Sequence, residues 1–253
     1  MPRRESGNPT LSFSARACYS CTGNVNERLR GRQHQVLMNA TTLNIPMAPM
    51  WPDLPPPPQQ PAPQSGSAWR VPSEAQCLAW WNRFDMPEHI RAHSRNVAVV
   101  ATFVAEVGKK RGLDVDVRTV TASALLHDLA KIYCIRHGGN HSQLGGAWVM
   151  ALTGNPVLSQ GVMHHVYWPF EVDLERFFTP LVVLYADKRV SHDRIVHIEE
   201  RFGDLLNRYG TTPEICDRIH TTNRQAKDIE DSFSRLLEID LNAHAFDCGR
   251  LVV

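Results

Sequence analysis

Ten of the 17 prolines lie between Pro46 and Pro72, including the run Pro55–Pro58. Proline fixes φ and has no amide to donate, so such a stretch can neither continue a helix nor sit inside a sheet. It reads as an extended, polyproline-like or disordered linker. Residues 1–45 show no sustained helical or strand period. Residues 1–72 are therefore expected to form a disordered, Pro-rich N-terminal extension and linker, and any packed domain has to be made from residues 73–253.

The 253 residues carry 27 basic and 26 acidic side chains, a near-neutral total that hides two parts. Residues 1–72 hold 7 basic and 3 acidic residues, net +4, whereas residues 73–253 hold 20 and 23, net −3. A nucleic-acid binder usually shows a basic surplus or stripe, and the second part has neither. The 43% apolar content suffices for a real core, yet no stretch reaches the roughly 18 consecutive apolar residues of a membrane-spanning helix. The first 33 residues are Arg-rich and acid-poor, as in a transit peptide, but Met38, Met47 and Met50 favour an over-long translation start. Cys18 and Cys21 form a C-x-x-C with no second pair to complete a zinc or redox site. Cys77, Cys134, Cys216 and Cys248 are scattered, as expected of reduced thiols in a cytoplasmic protein.

From Ser73 onward the expectation is an all-α fold. Ser73-Glu-Ala-Gln76 has capping-box form and opens a short helix through Trp80 and Trp81. Pro87 in a first-turn position opens a second helix, running to Gly112. Asn155-Pro156, Thr179-Pro180 and Thr212-Pro213 each pair a capping residue with a first-turn proline, and Gly154 and Gly210 stand where preceding helices should end. No alternating run with hairpin turns is visible. The last long helix, from about Pro213 to Ile239, reads as amphipathic. Residues 73–210 are assigned to one domain, with 211–253 a C-terminal amphipathic helix and tail packing on it.

Nine of the 12 histidines fall between His89 and His197. Ile90, His93, Val97, Val100 and Val104 recur at helical spacing, so His93 points inward with the apolar stripe. His89, one turn earlier, reads as exposed or as lying behind a ligand. His127 and Asp128 follow the small and apolar residues Ala122, Ala124, Leu125 and Leu126. As neighbours on a helix they diverge by about 100°, yet an imidazole and a carboxylate can still reach one metal between helices. Asp187 follows the apolar run 181–186, His141 begins a helix after Gly138-Gly139-Asn140, and His164-His165 end the helix opened at Asn155. Each has a bland alternative: a satisfied core histidine, a buried salt bridge, a surface pair at a helix end. A buried aspartate without a cation is costly, and the joint pattern of inward histidines and aspartates on consecutive helices points to metal.

That ordered pattern resembles the HD superfamily of metal-dependent phosphohydrolases, and the HDIG-type bacterial members in particular. The resemblance covers roughly residues 73–205. It rests on His93-Ser94 followed by Val97, on the LLHDLAK segment around His127-Asp128, on His141 followed by Gly145, and on Tyr185-Ala186-Asp187-Lys188. It implies a helical bundle of five core helices plus additional helices. It also implies that His93, His127, Asp128 and Asp187 are the ligands common to members with one or two ions. His141 and one of His164 and His165 would add a second ion, with Asp128 bridging. His165 is favoured because it shares a helical face with Leu158 and Val162.

The cofactor implied is one or two divalent transition ions, Fe, Mn, Co, Ni or Zn. The activity implied is hydrolysis of a phosphoester or phosphoanhydride of a small nucleotide-like substrate by attack of a metal-bound hydroxide. Asp128 and Lys131 are the expected catalytic residues, and Lys131, Lys188 and Arg189 the expected phosphate contacts; Lys131 has the alternative of a solvated helix-end lysine. Nucleoside monophosphates, cyclic nucleotides and dinucleoside polyphosphates all fit the resemblance. Two other readings use the same fold: an HD-type diiron oxygenase, and a non-catalytic nucleotide- or partner-binding module.

Overall fold

The computed structural model describes residues 69–246. Most of the Pro-rich extension, with Cys18, Cys21 and His34, lies outside the described residues, as does the tail from residue 247. The elements in chain order are α1 (Glu74–Arg83), α2 (Glu88–Lys110), α3 (Val117–Leu126), α4 (Lys131–His137), α5 (His141–Thr153), α6 (Pro156–Met163) and α7 (Phe178–Lys188), then β1 (Val190–Ser191), β2 (Arg194–Ile195), α8 (Ile198–Tyr209) and α9 (Pro213–Leu237). The fold is all-α apart from the two-stranded antiparallel hairpin of β1 and β2.

Local chemistry explains most helix ends. Ser73 accepts from the Gln76 amide while the Gln76 side chain accepts from the Ser73 amide, a complete capping box. Asn155 and Thr212 cap α6 and α9 through their side chains, each with proline in the first turn. Gly154 closes α5 with φ of 66°, which a residue with a Cβ adopts only at a cost.

Five features differ from expectation. Pro87 is the residue before α2 rather than inside its first turn, and α2 stops at Lys110, two residues short of Gly112. Thr179-Pro180 does not start α7, which begins at Phe178. Proline fits there because none of the first four amides of a helix has an intrahelical partner. The hairpin was not anticipated, since two-residue strands carry no readable alternation. Nor was α4, which begins at Lys131 after a break that follows α3 at Leu126.

The core is formed where α2, α3, α6 and α7 pack on one another. All 11 residues of α7 are buried, as its apolar sequence on every side requires. On α2 the stripe Ile90, Val97, Val100, Val104 is buried with His93. Each such apolar side chain contributes about 1.5–3 kcal/mol by leaving water. Glycine allows the closest approach: a Cβ on Gly161 of α6 would lie 2.8 Å from the Ser123 Oγ of α3. The same Ser123 hydroxyl donates to the Leu158 carbonyl at 3.1 Å, locking the two helices.

Arg189, just past α7, is fully buried. Its guanidinium donates to the Glu230 carboxylate on α9 (3.0 Å), to the Tyr185 hydroxyl (2.6 Å) and to the carbonyls of Leu241 and Val196 (2.6 and 2.7 Å). Burial pushes the Glu230 carboxyl up against the opposing pull of Arg189, so the pair is costly to form and costlier to break. Glu230→Ala, which strands the guanidinium, should lose about 3–5 kcal/mol of stability in urea unfolding. Glu200→Ala, which breaks the exposed Arg194–Glu200 pair, should lose less than about 1 kcal/mol. Equal losses would refute the assignment of a buried charge network.

Candidate metal centre

Helix α3 ends just before the doublet. The Trp81 indole donates to the Leu125 carbonyl at 2.9 Å, satisfying one carbonyl at the end of α3. His127 keeps helical dihedrals (φ −56°, ψ −35°), and the chain then turns through Asp128 and Leu129 into α4. The break after Leu126 lets adjacent residues that would diverge on a continuous helix serve one site. His127 and Asp128 are 0% and 1% exposed.

Around this doublet, α2 supplies His93, α5 supplies His141 from its first residue, the end of α6 supplies His165, and α7 supplies Asp187 and Lys188 from its last turn. His93 Nε2 lies 3.0 Å from Asp187 Oδ1 and 4.0 Å from Asp128 Oδ2. His127 Nε2 lies 3.4 Å from Asp128 Oδ2 and 3.8 Å from Asp187 Oδ1. On the other side, Asp128 Oδ1 faces His141 Nε2 at 3.4 Å and His165 Nε2 at 3.6 Å, and these two nitrogens are 3.2 Å apart.

Three imidazoles are anchored from behind. His127 Nδ1 lies 2.7 Å from the Ala124 carbonyl, His165 Nδ1 2.7 Å from the Val162 carbonyl, and His93 Nδ1 3.1 Å from the His192 carbonyl. A carbonyl only accepts, so Nδ1 carries the proton and, in each neutral ring, Nε2 presents a lone pair to the centre. The His192 carbonyl is brought there by the β1–β2 hairpin, where His192 has φ of 57°. Asn96 of α2 donates to the neighbouring Asp193 carbonyl at 2.7 Å and clasps the same turn.

Each carboxylate is held by a lysine. Lys131 Nζ donates to Asp128 Oδ2, and Lys188 Nζ to Asp187 Oδ2, both at 2.7 Å; Lys188 also donates to the His165 carbonyl at 3.2 Å. Burial would raise the Asp128 carboxyl, but His127 and Lys131 hold it well below the usual carboxylate range. Asp187 is likewise held low against burial by Lys188 and His93. Burial, reinforced by His165, pushes His141 down to about 4, and burial lowers His165. Both rings are therefore neutral near pH 7. At His127, burial is outweighed by Asp128 and Asp187, whose field favours positive charge on Nε2.

The fit to a metal rests on two orphaned atoms. His127 Nε2 and Asp128 Oδ1 are buried and have no hydrogen-bond partner among the described residues. Buried polar atoms are rarely left so, and here both point into a cluster of nitrogen and oxygen donors. His93, His127 and Asp187 form one group whose donor atoms lie within 4.8 Å of each other; His127, Asp128 and His165 form a second. Imidazole and carboxylate donors in this mixture suit divalent transition ions.

No family model matches the chain, and neither does any curated protein or solved structure. The site is therefore read from its own geometry.

Of the residues singled out from the sequence, His93, His127, Asp128, His141, His165, Asp187, Lys131 and Lys188 are brought together. His164 is not. It follows the last residue of α6, and its ring packs against Trp168 and Phe170 at 5.2 and 5.9 Å. Arg189 is drawn away by Glu230 and Tyr185. The cluster opens into a cavity of about 860 Å³, which Lys131, Lys188 and the exposed His89 line. Sequence reasoning missed Arg201 and Arg208 of α8 and Arg218 of α9, which line the same cavity. The available signal was the spacing Arg201, Leu205, Arg208, which puts these three on one face of a helix.

Metal bound only by the folded state stabilises it, by about 2.7 kcal/mol when the free ion is at 100 times its dissociation constant. Chelation should therefore lower the melting temperature, and Mn²⁺, Co²⁺ or Zn²⁺ should restore it. His127→Ala and Asp187→Ala should abolish that response, and His164→Ala should preserve it. A response lost with His164 but kept without His127 would overturn the ligand set.

Proposed function

We propose that the chain is a metal-dependent phosphohydrolase of the HD type that cleaves a phosphoester or phosphoanhydride of a small nucleotide-like molecule. The observation that carries this reading is the convergence of four Nε2 atoms on two lysine-held carboxylates at the floor of an open cavity. His93, His127, Asp128 and Asp187 would hold one ion, and His141 and His165 with Asp128 a second. When bound, such ions supply positive charge to a phosphate oxygen and bring the pKa of a water molecule toward about 7.

The protein's own groups do the rest. Lys188 occupies Asp187 Oδ2 and so directs Oδ1 toward His93 and His127. Lys131 does the same for Asp128. Its ammonium stays protonated, because burial is outweighed by Asp128 and Asp187. An ammonium has three donors, and only one is spent on Asp128. Lys131 lines the cavity, so its others can meet a phosphate oxygen or give a proton to the departing one. The volume suits a ligand of nucleotide size.

Elemental analysis of protein purified without chelator or added metal tests the centre. Two equivalents of transition metal are expected, falling to about one in His141→Ala. A phosphate-release screen over nucleotides with Mn²⁺, Co²⁺ and Fe²⁺ then tests the reaction. Activity is expected to fall at least about a hundredfold in Asp128→Ala, in line with lost metal activation. Stoichiometric O₂ uptake without phosphate release would replace this reading with a diiron oxygenase. A wild type that is inert while Asp128→Ala still binds nucleotide would replace it with a binding module.

A further inference from the structure

We infer that Arg201, Arg208 and Arg218 form a subsite for a second phosphate group of the substrate, distinct from the phosphate that is cleaved. The inference rests on the phosphohydrolase reading and narrows its substrate class to molecules with at least two linked or neighbouring phosphates.

On the metal floor each lysine already faces a carboxylate, Lys131 with Asp128 and Lys188 with Asp187. On α8 and α9 the balance differs. Asp204 lies 3.6 Å from Arg201 Nη1 and 3.3 Å from Arg208 Nη1, so one carboxylate serves two guanidinium groups. The Arg201 Nε is buried and has no hydrogen-bond acceptor. Arg218 forms no ion pair among the described residues, although Glu214, one turn earlier, feels its charge. Arg208 is further oriented by its Nη2 donating to the Tyr209 hydroxyl at 3.0 Å.

These groups sit on a wall with mixed chemistry. Phe202, Leu205 and Ile219 line the same cavity. Arg208 and Arg218 are exposed and reach the same cavity as Leu205. A ligand with an apolar ring and more than one phosphate uses both. Guanidinium presents a planar fork of donors that matches phosphate oxygens, and charge-assisted bonds of this kind are about twice as strong as neutral ones. A monophosphate seated at the metal floor leaves the arginines unused.

Calorimetric titration of the full chain with AMP and with the non-hydrolysable methylene analogue of ADP tests the subsite. The wild type should bind the analogue at least about tenfold more tightly than AMP, the equivalent of about 1.4 kcal/mol. Arg208→Gln with Arg218→Gln should remove that advantage while metal content and AMP affinity stay the same. Lysine at both positions should restore much of it. Equal affinities in the wild type, or an advantage that survives the double glutamine change, would overturn the inference. If no metal supports phosphate release, the hydrolase reading fails while the titration still decides the subsite. Should monophosphates be cleaved and bound as well as diphosphates, the subsite fails and the hydrolase reading stands.

Discussion

Two buried carboxylates govern this structure. Asp128 and Asp187 are removed from water on facing elements, and each would be prohibitive to bury alone. A single lysine answers each charge but leaves the second carboxylate oxygen directed at histidines. The histidines in turn are tied down by their far nitrogens, so that their lone pairs meet those oxygens. Lone pairs 3.0 to 3.8 Å apart repel unless positive charge sits between them, and the ordering of α2, α3, α6 and α7 brings them there regardless. A fold that concentrates so many acceptors in one place could hold a cation there.

The part of this that can be read along the chain is the part set by local chemistry. Ser73, Asn155 and Thr212 announce helices because a side-chain oxygen and a free amide a few residues on are sequence neighbours. Thr179-Pro180 carries the same lettering and misleads, since proline is equally at home further into the first turn. The hairpin at His192 is invisible for a different reason. Its two-residue strands are held by Asn96 and His93, about a hundred positions away.

The same division applies to the site. His93 and Asp187 stand out because a polar residue in an apolar stripe is a local anomaly. The choice between His164 and His165 depends on the ridge of α6 that packs against α3 at Gly161, and the helical face through Leu158 and Val162 was sufficient to favour His165. The spacing of Arg201, Leu205 and Arg208 marks one face of α8, but it does not say what that face meets, because a charged amphipathic helix looks the same whether its polar face meets water or a cavity. Arg189 misled in the opposite direction, being next to Lys188 in sequence but turned a third of a helical turn away into a different charge network.

That network has a consequence for the centre. Asp187 and Lys188 are the last turn of α7, and Arg189, the next residue, is fixed to α9 through Glu230 and to the 241 region through a carbonyl. The Tyr185 hydroxyl, two residues before Asp187, donates to the same Glu230 carboxylate at 3.0 Å. Asp187 and Lys188 are thus bracketed by two bonds to one buried carboxylate on α9. The end of α7 cannot unwind without stranding Arg189, and cannot rotate without moving Asp187 off His93. The buried ion pair contributes little net stability of its own. Its effect is to fix the register of α7 against α9, and with it the position of Asp187 against His93 and His127.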